Sequence, residues 1–351
     1  MKRNYFIFFL LLVFVTGSFL PKTFAGDYLT VIAVGDIMMG STGLRGILPP
    51  DDGQDLFKNI RPYMNGGDIV FGNLEGPLLD EGEPGKCREE KSRYCFEFKS
   101  PTRYGRYLKE TGFNVLNIAN NHILDFGTEG IKSSLETLGS LGIAPSGGEA
   151  VVELTIKGKK VALVGFSYLS SKYSFSILEI EKAREIIARL KAAHDLVIVT
   201  FHGGAEGKSA LHVRDENEIF LGEKRGNVIH FSRSAVDAGA DLVLGHGPHV
   251  LRALEIYKGK LIAYSLGNFL TYGMFNLKGP NGISVILKVR LDTEKGRLLE
   301  GWIIPVKLVN GGIPIYDSAQ EGIELLKQLT HNNGCDFNVR ISDEGEIRPI
   351  R

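Results

Sequence analysis

The chain predicts an α/β fold with a largely parallel sheet, and three observations carry that prediction. Short apolar runs alternate with segments of helical periodicity. Several runs, such as 196–201 and 242–244, are apolar throughout or nearly so, as strands buried on both faces are. Their ends carry Asp, Glu, Asn or His, and loops at the carboxyl ends of such strands are where open α/β sheets hold their sites. The stretch Asp241-Leu-Val-Leu-Gly-His-Gly-Pro-His249 shows the pattern best: the run stops at Gly245 and two imidazoles follow around a Gly-Pro turn.

Taken in order, residues 29–34 predict a first strand running into Gly35-Asp36-Ile-Met-Met-Gly40, and 69–71 a second ending in Gly72-Asn-Leu-Glu75. The charge-dense stretch 80–101 reads as a surface insertion. Tyr104, Tyr107 and Leu108 predict a helix over 102–110. Residues 114–119 form a third strand that runs into Asn120-Asn121-His122. A helix over 128–141 follows, with Ile131, Leu135 and Leu138 on one face and Thr128 as its N-cap. Residues 151–156 and 161–166 flank Lys157-Gly-Lys-Lys160 as a hairpin. An amphipathic helix covers 178–193, and strand 196–201 ends at His202-Gly-Gly204. A polar stretch, 208–225, precedes a helix over 228–238. Strand 261–265 ends at Leu266-Gly-Asn268-Phe269. Residues 283–291 and 298–308 predict a long antiparallel hairpin and 319–329 a last helix, while the tail beyond Asn332 is polar and aperiodic. With no repeat or linker, the economical division is a leader at 1–25, one domain at 26–318, and a C-terminal helix with polar tail at 319–351.

Hydrophobic residues make up 43% and charged residues 23% of the 351, ordinary for a globular protein able to bury a sizeable core. Lys2, Arg3, the apolar run 5–15 and Thr23-Phe-Ala25 have the layout of a secretory signal peptide cleaved after Ala25. Phe19 and Leu20 extend that run towards an uncleaved anchor; either reading puts the domain outside the cytoplasm. Without Lys2, Arg3 and Lys22 the chain keeps 38 basic and 41 acidic residues, a net −3. It has no basic stripe, so a nucleic-acid footprint is missing. Cys87 and Cys95 could close a short disulfide loop in an oxidising compartment, or stand as two free thiols on the surface. Cys335 is left over, and none of the three has zinc-type spacing.

Five strand ends carry candidate ligands: Asp36, Glu75, Asn121 with His122, His202, and His246 with His249. Taken singly, each is also an ordinary turn or loop residue; their joint occurrence at one kind of location is what marks a site. His194, His212, His230 and His331 lack that context. Carboxylate, amide oxygen and imidazole together suit divalent transition metals better than an all-oxygen Mg²⁺ or Ca²⁺ cage. The set is too long for one ion and fits two ions sharing a carboxylate, as in metal-assisted phosphoester hydrolysis.

The motifs Gly35-Asp36-Ile-Met, Gly72-Asn-Leu-Glu75, Asn117-Ile-Ala-Asn-Asn-His-Ile-Leu-Asp125, Gly245-His-Gly-Pro-His249 and Tyr264-Ser-Leu-Gly-Asn-Phe269 come in one order over 29–270. In these the chain resembles the bacterial capsule-synthesis CapA family, a branch of the calcineurin-like metallophosphoesterase superfamily. The resemblance implies a four-layer α/β/β/α sandwich of two mixed sheets, with the hairpin at 283–308 in its second sheet. It implies two divalent ions of the Mn, Fe or Zn kind. Asp36 and His249 would hold the first, Glu75 would bridge, and Asn121, His202 and His246 would hold the second. His122 would be the proton donor to the leaving group, Asp125 and Glu206 would orient imidazoles, and Asn268 would line the pocket. Three positions depart from the pattern: Met38 stands where many superfamily members have His, Gly203 where the branch commonly has Trp, and Gly247 where His is usual.

Two functions follow from that resemblance. One is an extracytoplasmic metal-dependent phosphoesterase, acting on a phosphoester or within the synthesis or export of an anionic polymer such as poly-γ-glutamate. The other is a non-phosphatase accessory that binds the polymer beside a membrane-bound synthase complex.

Overall fold

The computed structural model describes residues 27–82, 85–88, 95–332 and 336–350. The leader and Cys335 lie outside the described residues. Alternation along the first strand, Tyr28–Met38, shows how the layers form. Leu29, Val31 and Ala33 point into a core shared by two sheets, while Ile32 and Val34 point the other way, under helices. Each such side chain, fully buried, contributes roughly 1.5–3 kcal/mol relative to exposure.

The larger sheet has ten strands. Its central path runs Val339–Ile341, Glu346–Pro349, Leu298–Val309, Ile283–Asp292, Tyr28–Met38, Ile69–Leu74, Val115–Asn117 and Ala144–Ser146. From Tyr28–Met38 to Ala144–Ser146 the neighbours are parallel; from Tyr28–Met38 the other way they are antiparallel. Asn268–Thr271 pairs with the end of the first strand and Ile313–Tyr316 with Leu298–Val309. The smaller sheet of seven runs Leu254–Tyr257, Lys260–Ala263, Leu242–His246, Leu196–His202, Lys159–Ser167 and Val152–Ile156, with Phe175–Ser176 beside Lys159–Ser167.

Three apolar clusters account for the four layers. Leu163, Ile198, Leu244 and Ala263 of the smaller sheet meet Val31, Phe71 and Leu287 of the larger between the sheets. Helices Gly105–Thr111 and Gly127–Ser140 cover the outer face of the larger sheet through Leu108, Ile131 and Leu138. Helices Ile180–Ala193 and Val228–Asp237 cover the smaller sheet through Ile187 and Phe231. A fifth helix, Glu321–His331, adds Ile323, Leu326 and Leu329 to the inner core. The parallel strands of both sheets end on the same side. Asp36 and His246, each near the end of its strand, come within 3.4 Å.

The structure departs from the sequence reading at several elements. The hairpin Ile283–Asp292/Leu298–Val309 joins the sheet of the first strand, pairing with Tyr28–Met38. The polar tail supplies two short strands, Val339–Ile341 and Glu346–Pro349, whose Val339, Ile341 and Ile347 enter the core. The polar stretch 208–225 holds a small hairpin, Glu218–Phe220 with Glu223–Gly226. Leu254–Tyr257 and Asn268–Thr271 are further strands. Thr128 is not the N-cap: the helix begins at Gly127, and the Phe126 carbonyl accepts Gly130 N–H at 3.2 Å.

Two glycines make the packing testable. A Cβ on Gly35 would lie 1.9 Å from the Gly267 carbonyl, to which Asp36 N–H donates at 2.9 Å. Gly139, near the end of its helix, has open space around it. Gly35→Ala is expected to lower unfolding stability by about 3 kcal/mol through overpacking, whereas Gly139→Ala raises it by about 0.5–1 kcal/mol through helix propensity. Urea denaturation of both variants checks the pair.

Candidate functional site

Strand ends from the two sheets bring the donors together. Asp36 is fully buried and lies within 3.0 Å of His249 Nδ1 and 3.4 Å of His246 Nδ1. Glu75, which follows Ile69–Leu74, puts Oε1 3.5 Å from His249 Nε2 and 3.9 Å from His122 Nε2. Ligand atoms of Asp36, Glu75 and His249 all fall within 4.8 Å of one another, a triad with the donor set of a metal site. His202 ends its strand directly beside His246, with Cα atoms in register, and its ring centroid is 6.5 Å from that of His249. Asn121 faces the same cleft as His122 and His249.

Five polar atoms test whether the residues fit a cation. Glu75 Oε1 and Oε2, Asn121 Oδ1, His202 Nε2 and His246 Nε2 are buried without a hydrogen-bond partner. An unsatisfied buried polar atom ordinarily costs about 1–3 kcal/mol, so several at one place are the signature of donors shaped for something other than protein. The residues therefore fit a divalent cation.

The electrostatics point the same way. Burial drives the Glu75 carboxyl well above the usual range, with Asp36, Glu206 and Asp125 adding to the rise and His249 opposing it. Burial holds His202 well below an ordinary imidazole. For Asp36, burial acts upwards, but His246 and His249 outweigh it and keep the carboxylate ionised. For His249, burial acts downwards, yet Glu75 and Asp36 lift it to about 10.

Orientation comes from residues around the donors. Asn73 Nδ2 donates to Asp36 Oδ1 at 2.9 Å and approaches His202 Nδ1 at 3.4 Å. Asn117 and Asn120 donate to Asn73 Oδ1 at 2.8 and 3.1 Å. Asn120 Oδ1 accepts the N–H groups of His122 and Ile123, which shapes the turn. These three amides were not singled out from sequence, although all lie inside or beside the quoted motifs. His249 adopts φ 56°, a left-handed conformation costly for a bulky residue. Asn268 secures it twice, with Oδ1 3.1 Å from His249 Nδ1 and Nδ2 donating to the His249 carbonyl.

His122 Nδ1 donates to Asp125 Oδ2 at 2.8 Å. Burial lowers the imidazole's pKa and Asp125 pulls it back up. Asp125 is held in turn by Phe98 N–H at 2.8 Å and by Lys86 Nζ at 2.6 Å. Both belong to the insertion closed by a Cys87–Cys95 disulfide, which settles the two cysteine readings. Glu206, expected to orient an imidazole, instead accepts a hydrogen bond from Arg225 Nη1 at 2.7 Å and lines the cleft. Met38 is fully buried, with Sδ accepting Gly40 N–H.

A sandwich of two mixed sheets under outer helices, with acid, amide and imidazole donors at converging strand ends, is the metallophosphoesterase type of architecture. A novel phosphatase from Mycoplasma pneumoniae shares the fold, with TM-score 0.50 and 14% identity over 84% of this chain and 96% of that one. In sequence, the description "Bacterial capsule synthesis protein PGA_cap" matches residues 30–272, and the chain belongs to that family. It is 28% identical to the capsule biosynthesis protein CapA of Bacillus anthracis over 87% of this chain and 73% of that protein. It is 30% identical to the PGA biosynthesis protein CapA of Bacillus subtilis (strain 168) over 71% of this chain and 65% of that protein.

A cation must displace the proton that His249 carries below about pH 10. Calorimetric titration of the metal-free protein with Mn²⁺ at pH 7.5, in two buffers of different ionisation enthalpy, is expected to show release of about one proton or more per bound ion. Release of none would contradict the charge state described for the triad.

Proposed function

We propose that the protein is an extracytoplasmic, metal-dependent phosphoesterase serving the synthesis or export of a capsular polymer such as poly-γ-glutamate. The observation that carries this is the set of buried, unpartnered donor atoms on Glu75, Asn121, His202 and His246 around Asp36. In this reading Asp36 and His249 would hold one divalent cation, Asn121, His202 and His246 would hold a second, and Glu75 would serve both. Such ions supply neutralisation of phosphoryl charge and a nucleophile from water at neutral pH. His122 donates a proton from Nε2 to the departing oxygen, because Asp125 occupies Nδ1 and the ring lines the cleft. A pKa lowered by burial makes protonated His122 a readier donor. The leader-like first residues and the Cys87–Cys95 disulfide support an oxidising, extracytoplasmic setting. The relatives' names support the polymer context; a membrane-bound synthase complex is the partner this reading expects.

One observation favours the second reading, a polymer-binding accessory without phosphatase chemistry. Met38 is buried where many superfamily members place an imidazole, which removes a donor from the first cation site.

Hydrolysis of an aryl phosphodiester with added Mn²⁺ separates the two. The phosphoesterase reading expects turnover that falls about 10²–10⁴-fold in His122→Ala with metal content retained. In Asp36→Ala, elemental analysis should show lost metal. Asp125→Asn removes the anion that raises the His122 pKa. A proton donor works below its pKa, so the alkaline limb of the rate profile should move to lower pH. Metal-loaded protein with no turnover would leave the accessory reading standing, whereas turnover indifferent to His122→Ala would remove His122 as the proton donor.

A further inference from the structure

A cleft of about 770 Å³ opens over the candidate cation site. Its walls carry Phe96, Phe98, Phe220, Leu221, Met274 and Phe275. The apolar surface begins at the imidazoles themselves. Phe98 lies against His122 with ring centroids 4.1 Å apart, and Phe275 meets His249 edge-on at 5.0 Å. Phe98 and Phe275 are in turn 5.2 Å from each other. At the mouth, Phe96 is 45% and Leu221 80% exposed, which extends the aromatic wall as one apolar surface.

The cations of the cleft are largely engaged with protein carboxylates. Lys86 pairs with Asp125 at 2.6 Å. Arg225 pairs with Glu206 and Glu223, and its guanidinium lies over the Tyr168 ring at 4.1 Å. Lys208 stands exposed at the rim. Such walls offer little to a polyanion running through the cleft and much to a hydrocarbon.

The apolar wall is also built rather than incidental. The hairpin carrying Phe220 and Leu221 is anchored at Glu218, which accepts two hydrogen bonds from the fully buried Arg252 at 2.9 and 2.8 Å. Arg225 fixes its other strand through Glu206, and the Arg225 carbonyl accepts Gly204 N–H at 2.9 Å. Two buried arginines thus hold the tip against the mouth.

We propose that the cleft takes a phosphate or diphosphate ester of a long aliphatic chain, with the charged group at the cation site and the chain along the aromatic wall. This deepens the phosphoesterase reading and rests on it for the anion's place. The test measures binding of methyl-, hexyl- and decylphosphonate to the Mn²⁺-loaded full chain by calorimetry, with a glutamate oligomer as comparator. Each methylene fully removed from water tightens binding about three- to fourfold, so hexyl over methyl should gain at least tenfold. Phe220→Ala with Leu221→Ser is expected to shrink that gain and leave methylphosphonate affinity unchanged. Equal affinity along the series, loss of binding by all three phosphonates, or tighter binding of the glutamate oligomer than of decylphosphonate would overturn the proposal. Its failure separates from that of the phosphoesterase reading. Turnover indifferent to chain length rejects only the aliphatic substrate. Chain-length-dependent binding without turnover of any ester rejects only the hydrolytic chemistry.

Discussion

Asp36 is a fully buried carboxylate, held charged between two sheets. Isolated, a buried ion of this kind would be prohibitively costly. Here His249 and His246 face its two oxygens and Asn73 donates to one of them. The Asn73 amide has no freedom to turn over, because Asn117 and Asn120 both donate to its oxygen. Asn120 also accepts from the backbone that carries Asn121 and His122. A run of amides therefore links the ends of the first three parallel strands of the larger sheet and transmits the position of Asp36 to the turn bearing His122. The smaller sheet joins through His246, whose strand is in register with that of His202. Stacking two sheets with their carboxyl ends aligned is what allows one acid to meet imidazoles more than 200 residues away in the sequence.

Much of this was legible in the chain because it follows from short-range rules. Apolar runs buried on both faces announce parallel strands, and the residue after such a run falls at the site end. Asp36, Glu75, His202 and His246 were found that way. The hairpin at 218–226 was not, since its two-residue turn is Leu221-Gly222, with φ of 50° and 83°, where the usual signal is Asn-Gly or Asp-Gly. The C-terminal strands were hidden because they are three and four residues long and bury only Val339 and Ile341 in one and Ile347 in the other. Glu206 shows a further limit: an acid near an imidazole in sequence has no preference until an arginine such as Arg225 is folded beside it. The role of Asn73 is of the same kind, since its partner lies 37 residues away.

The insertion at 80–101 does more than cover the surface. Its disulfide closes a short loop whose base is buried: Cys87 N–H donates to Glu97 Oε2, and Glu97 Oε1 accepts Leu44 N–H. From that base Lys86 and Phe98 reach Asp125 and hold the acid that orients His122. The metal-type donors are thus set by strands and the proton-bearing pair by a cross-linked loop. A covalent closure suits this task, because a loop alone would sample many positions and the His122–Asp125 contact tolerates few.

Gly203 leaves room for the hairpin that carries part of the apolar wall. A side chain there would meet Ile177 at 2.3 Å and the Arg225 carbonyl at 3.0 Å. A Trp, common at this position in the branch the chain resembles, would therefore occupy the space in which the 218–226 hairpin docks. With glycine at 203, the hairpin backbone can reach the Gly204 N–H, and Arg252 can pack closely behind Gly204 while holding Glu218. Gly247, at φ 109°, makes the matching concession opposite, where a Cβ would stand 3.0 Å from Gly203 N. Gly203 and Gly247 thus lie against each other and together leave the space that the hairpin fills. The hairpin they admit is anchored twice, through Glu218 and Arg225, and carries its apolar tip to the mouth of the site.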